Sequence, residues 1–323
     1  MSRLATFRNA LLNAAKPSVL SANYHFNNYK EVVWVIGSGR SGTTWVTDML
    51  NYKQGFREML EPCRPHVVAD SNFLALNDYR RPGKKDERLN TFYAEVFSGR
   101  FKHVDVDSSA NRLRFKGLMV KDVFANLFAK HLHNQFPNVK PILLLRNPFE
   151  VALSMQSKKD WVWMTDPMKF LDQPELVEDY LLPFIPLIKE VSERGDYLER
   201  LLLIWCIINY IPLKQFNKEE LLIVFYEDVK HNPSAEVSQM WQFIRGSADV
   251  PPMSIPNHVS AKTSGVSTEL GKKFTKQEGA WRDKLSATQL KNGNAILDAF
   301  GFGDLYSDTG VPNRMSLNKF QFS

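Results

Sequence analysis

Unbroken apolar runs alternate along this chain with stretches in which apolar residues recur every three or four positions. Residues 32–38 (VVWVIGS) form an apolar run closed by glycine and serine, the pattern of a strand buried on both faces. TTWVTDMLNY then places Trp45, Met49 and Tyr52 at helical spacing and predicts a helix. FREML (56–60) predicts a short strand ending at Glu61-Pro62, and the charged, turn-rich residues 78–90 predict a surface loop. RFKGLMVKD (114–122) predicts a strand, FANLFAKHLHNQF a helix and VKPILLLR (139–146) a second buried strand. PFEVALSMQS opens a helix with proline in its first turn. An aromatic stretch (160–184) leads into two long helices. LLIVFYED (221–228) predicts another buried strand, 251–280 a loop, and SATQLKNGNAILDAF a last helix.

Strands alternating with helices predict an α/β protein with a parallel sheet covered on both faces. With 323 residues, 44% of them hydrophobic, the chain can bury a real core. It reads as a single domain over 1–323, with a short N-terminal segment (1–30), a core (31–300) and a C-terminal tail (301–323). The first 20 residues lack the apolar centre of a signal peptide and suggest a short amphipathic helix. The run LLLIWCIINYIPL is shorter than the ~20 residues a membrane span needs, so no transmembrane segment is expected. Two cysteines, Cys63 and Cys206, make no disulfide framework or metal-ligand spacing, and a reducing, cytoplasmic setting is the natural expectation. Net charge +6 suits an anionic ligand, while no basic run has the length of a nucleic-acid-binding arm.

The chemistry concentrates where the first strand meets the first helix. Gly37, Gly39 and Gly42 spell a dinucleotide turn, and Gly37 to Thr44 also spells a phosphate loop with Thr43 where lysine belongs. A strand, a glycine turn and a helix aim backbone N–H groups and the helix dipole at one spot. Arg40 lies inside the turn, and Thr43 and Thr44 add hydroxyls. A nucleoside triphosphate would want the missing lysine and Mg²⁺. A dinucleotide would find Glu58 or Glu61 about 20 residues on, where a ribose ligand belongs. A second cluster adds Arg146, ending a buried strand, and Ser154 eight residues later. Ends of neighbouring parallel strands share one crevice, so two anion sites meet there. A nucleotide phosphorylated on its 5′ and 3′ sides needs such a pair.

These residues resemble the sulfotransferase family, which uses 3′-phosphoadenosine 5′-phosphosulfate (PAPS) and releases adenosine 3′,5′-bisphosphate (PAP). The match to its 5′-phosphosulfate loop is Arg40-Ser41-Gly42-Thr43-Thr44-Trp45, and Arg146 and Ser154 match its 3′-phosphate motif. Tyr226 in FYEDVKHNP matches a tyrosine beside the adenine. The resemblance spans residues ~32 to ~285 and implies a P-loop-like three-layer fold with a central parallel sheet flanked by helices. The cytosolic aryl branch carries K-T-H where this chain has Lys121-Asp122-Val123, so the histidine base is missing. The chain is more similar to the carbohydrate and tyrosylprotein branches, whose base is a glutamate; Glu61 stands at that place. The C-terminal R-K-G triple does not align. Lys272, Lys273 or Lys276 is expected to replace it, and Ser264 to touch the bridging oxygen or the 3′-phosphate.

The resemblance implies in-line transfer of the sulfuryl group to an acceptor hydroxyl, with Glu61 as general base and Arg40 and Lys121 stabilising charge, and no metal. A glycan acceptor is the first expectation, a phenol or small alcohol the second. Trp161 and Trp163 are candidates to stack on the acceptor, and His131 and His133 read as surface or packing residues. A dinucleotide oxidoreductase would explain the glycines but not Arg146 and Ser154. A non-catalytic nucleotide scaffold would keep Arg146 and need no Glu61.

Overall fold

Strand β1 (Val32–Gly37) runs through the middle of a five-stranded sheet, with Val33, Trp34, Val35 and Ile36 sealed from solvent. β3 (Gly117–Asp122) and β4 (Pro141–Leu145) flank it; β2 (Phe56–Leu60) lies beyond β3 and β5 (Leu222–Phe225) beyond β4. Every pairing is parallel. The computed structural model describes residues 3–26, 29, 31–107, 114–157, 165–246, 254–255 and 279–320.

Successive strand residues point to opposite faces, so the apolar runs feed two cores. Trp34, Ile36, Val120 and Leu143 join the larger one. It is closed by α3 (Glu87–Phe97), α4 (Ala129–Gln135), α5 (Pro148–Gln156), α6 (Ile185–Arg194), α7 (Tyr197–Gln215) and α10 (Ala287–Ala299). Val33, Val35, Met119 and Leu144 join the smaller one, under α2 (Thr43–Leu50), α8 (Tyr226–His231) and α9 (Pro233–Arg245). The result is the expected α/β fold: three layers, with the parallel sheet in the middle. From β1 the chain builds outward to β2 and β3 on one side, then crosses back to β4 and β5 on the other. The crevice beyond the carboxyl ends of β1 and β4 is therefore the switch point of the topology, where such sheets bind ligands.

Several predicted boundaries move, each for a local reason. Helix α3 starts inside the expected loop 78–90, because Asp86 caps it, its Oδ1 accepting the Leu89 N–H at 3.0 Å. The strand expected over 221–228 stops at Phe225. Tyr226 opens α8, whose first turn carries Glu227 and Asp228 where the helix dipole favours acid. The helix expected over 124–136 is shorter: Phe124 to Phe128 form turns before α4. The strand expected from Arg114 begins pairing at Gly117, opposite Phe56. The N-terminal helix is long rather than short, α1 running over Arg3–Phe26, with Leu20 buried and Asn23 bonded to the Tyr29 hydroxyl. The C-terminal segment folds back on the body: Phe302, Leu305, Leu317 and Phe320 are buried, and Arg314 pairs with Asp228 and Glu236.

Candidate active site

The turn after β1 is shaped by close approaches. A Cβ on Gly37 would lie 2.8 Å from the Leu144 carbonyl oxygen, so glycine lets β1 end tightly against β4. Gly42 has φ +92°, and a Cβ there would meet the Tyr226 ring at 2.6 Å. Arg40 also holds a left-handed conformation, φ 67°, which costs a non-glycine residue and marks functional turns. Ser38 and Ser41 tie the turn together through their hydroxyls at 3.0 Å and through Ser41 N–H to the Ser38 carbonyl at 3.2 Å. Helix α2 starts at Thr43, and its first turn brings backbone N–H groups that no helical carbonyl satisfies.

Across the switch point, Arg146 follows β4 and lies over the Tyr226 ring, 4.4 Å from its centroid. Its guanidinium donates to the Arg40 carbonyl at 3.2 Å and to Glu150 Oε2 at 2.6 Å. Ser154, two turns along α5, accepts from Arg40 Nε at 3.1 Å. The two clusters read separately in the sequence thus form one cationic centre. Burial and then the Arg146 charge pull the Arg40 guanidinium below its ordinary range. Burial also pulls Arg146 down, but Tyr226, Glu150 and Glu227 outweigh it and hold Arg146 above its ordinary range. Two guanidiniums this close repel, and an anion between them relieves the repulsion. Trp45 packs on Tyr226 with ring centroids 5.1 Å apart, forming an aromatic wall beside this centre.

Glu61 and Lys121 lie at the other end of the loop. β2 pairs with β3 in register Leu60↔Lys121, so Glu61, one residue past β2, sits beside Lys121. Its Oε1 accepts from Lys121 Nζ at 2.7 Å, and Arg64 stands 3.5 Å from its Oε2. Lys121 Nζ also reaches Thr44 Oγ1 at 3.3 Å, linking the carboxylate to the first turn of α2. Glu61 has φ 54°, a second non-glycine residue held left-handed at this site.

Asp122, next to Lys121 on β3, points to the opposite face. It is fully buried and accepts from Trp34 Nε1 at 3.2 Å, Tyr93 OH at 3.0 Å and Cys63 Sγ at 3.2 Å. Burial pushes its carboxyl up to about 6 against these three hydrogen bonds. The sequence reading gave no role to Asp122, Glu150 or Arg64. Glu150 had a signal, its i+4 spacing from Arg146. Arg64 had one too, its i+3 spacing from Glu61, whereas Asp122 had none, since strand pairing and burial give it its neighbours.

The remaining expected residues divide. Ser264, Lys276, Lys272, Lys273, Trp161 and Trp163 lie outside the described residues. His131 and His133 are buried packing residues, bonded to Asn90 Oδ1 at 2.8 Å and the Val139 carbonyl at 3.3 Å; burial lowers both below the ordinary histidine range. Glu58, a candidate ribose ligand, accepts from Asn51 Nδ2 at 2.6 Å and so serves the end of α2. Among the described residues no His, Cys, Asp and Glu group is arranged to hold a metal, and no helix is long and apolar enough to cross a membrane.

The sequence matches the family described as sulfotransferase domain over residues 30–298, and the chain belongs to that family. It is a sulfotransferase, an enzyme of sulfuryl transfer. Similar solved structures include a sulfotransferase from Alicyclobacillus acidocaldarius, at 15% identity and TM-score 0.40, covering 83% of this chain and 94% of that one. Another is mouse sulfotransferase SULT7A1 complexed with PAP, at 16% identity and TM-score 0.43, covering 94% of each chain. A third is retinol dehydratase in complex with androsterone and inactive cofactor PAP, at 15% identity and TM-score 0.41, covering 91% of this chain and 88% of that one. These superpositions are loose, and the family assignment stands on the sequence match. No curated protein matches the chain.

Proposed function

We propose that this sulfotransferase moves the sulfuryl group of PAPS to a hydroxyl of a carbohydrate, with Glu61 as general base. The observation that carries the reading is the chain Glu61–Lys121–Thr44, which joins a carboxylate to the anion-binding loop through 2.7 and 3.3 Å contacts. The residues fit the donor. Arg40, Ser41, Gly42, Thr43 and Thr44 would hold its 5′-phosphosulfate, Arg146 and Ser154 its 3′-phosphate, and Trp45 and Tyr226 its adenine. The donor supplies sulfur bonded to a stable phosphate leaving group.

Glu61 takes the acceptor's proton as the oxygen bonds to sulfur; the sulfur–phosphate oxygen bond breaks, and its electron pair leaves on PAP. Lys121 faces both the base and the loop, so its charge offsets negative charge developing between them. Arg64, on the far side of the carboxylate, helps to hold Glu61 in place. The glutamate at position 61 and the C-terminal WRDKL favour a glycan acceptor, as in the carbohydrate branch. Two buried, unpaired cysteines suit a reducing compartment such as the cytoplasm.

Thermal shift with PAP, NAD and ATP, without added Mg²⁺, tests the donor. A ligand at 100 times its Kd stabilises by ~2.7 kcal/mol, a readily visible shift. PAP should raise the melting temperature and NAD should not. A strong shift with NAD and none with PAP overturns the reading.

A further inference from the structure

We propose that Glu227 is a positioning residue of the nucleotide site, which fixes the turn carrying Arg146 and takes up a proton when an anion lands on that arginine. The inference rests on the PAP reading of the Arg40–Arg146 centre. Its footing is a hydrogen bond between two elements: Glu227 Oε1, at the start of α8, accepts the backbone N–H of Asn147 at 2.9 Å. Asn147 follows Arg146 directly and caps α5, its Oδ1 accepting the N–H groups of Phe149 at 3.0 Å and Glu150 at 3.2 Å. One carboxylate therefore pins the residue that sets both the direction of Arg146 and the start of the helix bearing Glu150 and Ser154. Tyr226, its neighbour in sequence, stacks on the Arg146 guanidinium. The β5–α8 corner thus holds Arg146 by its side chain through Tyr226 and by its backbone through Glu227.

The second carboxylate oxygen is what makes the residue more than a strut. Glu227 Oε2 is buried and has no hydrogen-bond partner among the described residues; neither has the buried hydroxyl of Tyr306, on the C-terminal segment packed against this corner. A desolvated carboxylate with one oxygen unpartnered is costly to keep charged. Burial accordingly pushes Glu227 up to about 7, against the Asn147 N–H, its own backbone N–H and the Arg146 charge, which pull it down. The groups facing it are Arg146 and Glu150 from the β4–α5 turn, Tyr226 and Asp228 on its own helix, and Tyr306. Asp228 is itself paired with Arg314.

Arg146 is the cation in this set. A phosphate bound to it brings ~1.5–2 negative charges close to Glu227 and takes up the charge that was holding the carboxylate ionised. The carboxyl then rises further and binds a proton near neutral pH, and Oε2 becomes a donor. By linkage, PAP must bind more tightly as pH falls through this range.

The test is calorimetric titration of PAP into wild-type protein and Glu227→Gln, in two buffers of different ionisation enthalpy, at about pH 6 and about pH 8. The amide keeps an oxygen for the Asn147 N–H and mimics the protonated carboxyl. PAP's own phosphates titrate near pH 6 in both proteins, so the difference between them isolates Glu227. The wild type should take up a larger fraction of a proton than Glu227→Gln, and its affinity should fall severalfold more steeply with rising pH. Glu227→Ala loses the tie as well. Its PAP affinity should drop about tenfold or more, with Glu227→Gln restoring most of it. Equal proton uptake in wild type and Glu227→Gln overturns the inference while leaving PAP binding intact. Absence of PAP binding by the wild type overturns the nucleotide reading instead.

Discussion

The Glu61 carboxylate accepts a hydrogen bond from Lys121 Nζ at 2.7 Å, across the edge where β2 and β3 pair. Neither residue needs the other for folding contacts of the apolar kind; the pair exists because both strands end at the same crevice. Lys121 is 5% exposed at its side chain and contacts Thr44 of the loop as well as Glu61. Lys121→Met should lower sulfate transfer by ~10²–10³, the cost of removing one charge-stabilising donor. PAP, which lacks the sulfuryl group, should bind the variant within a few-fold of wild type. Comparable losses in transfer and in PAP affinity would show that Lys121 serves binding alone.

Arg146 should separate two nucleotides that differ by one phosphate. Arg146→Ala removes a charge-assisted contact worth ~1.5–3 kcal/mol, so PAP affinity should fall at least about tenfold. Adenosine 5′-phosphosulfate, without the 3′-phosphate, should bind both proteins nearly alike. Equal losses for both ligands in equilibrium titrations would mark Arg146 as structural.

Gly42 couples the loop to the aromatic wall of Trp45 and Tyr226. Gly42→Ala puts a methyl group at 2.6 Å from the Tyr226 ring and strains a backbone held at φ +92°. The ring must move, and it carries Arg146 with it. The variant should lose ~1 kcal/mol or more of stability in urea unfolding. It should also weaken PAP binding. A stable variant with wild-type PAP affinity would contradict the proposed contact between loop and wall.

Asp122 makes stability depend on pH. Its folded carboxyl titrates at about 6, above the ordinary ~3.9 of the unfolded chain. The native state therefore holds the proton more tightly, and this group's contribution is lost as pH rises from about 4 to about 6. Asp122→Asn cannot titrate. It also offers one acceptor to three donors, from Trp34, Tyr93 and Cys63, and should be less stable at low pH by ~1–3 kcal/mol. Unfolding curves of both proteins should show their difference narrowing across that window. A constant difference would mean that Asp122 does not titrate there.

Much of this site was legible in the sequence because it follows chain order. The glycine turn, Arg40, Thr43 and Thr44 are contiguous, and Arg146 closes an apolar run that could only be a buried strand. The same runs announced the parallel sheet. Two of the misplaced boundaries, at α3 and α8, share one cause, charge near a helix start. Asp86 and Glu87 read as loop because polarity marks loops, yet they are a cap and a first turn. Tyr226 read as strand because apolar and aromatic residues continue to it, although Glu227 and Asp228 favour a helix N-terminus. Asp122 and Glu227 escaped because burial, strand register and the C-terminal segment give them their environments. None of these is written in their neighbours along the chain.

Sulfate transfer from labelled PAPS to a panel of glycan and phenol hydroxyls, by wild type and Glu61→Gln side by side, tests the central claim most directly. The glutamine keeps the shape of the side chain and removes the base. Wild type should label a glycan hydroxyl. Glu61→Gln should do so ~10²–10⁴ times more slowly, the usual worth of a general base, with PAP affinity held within a few-fold. Undiminished transfer by Glu61→Gln would contradict the account.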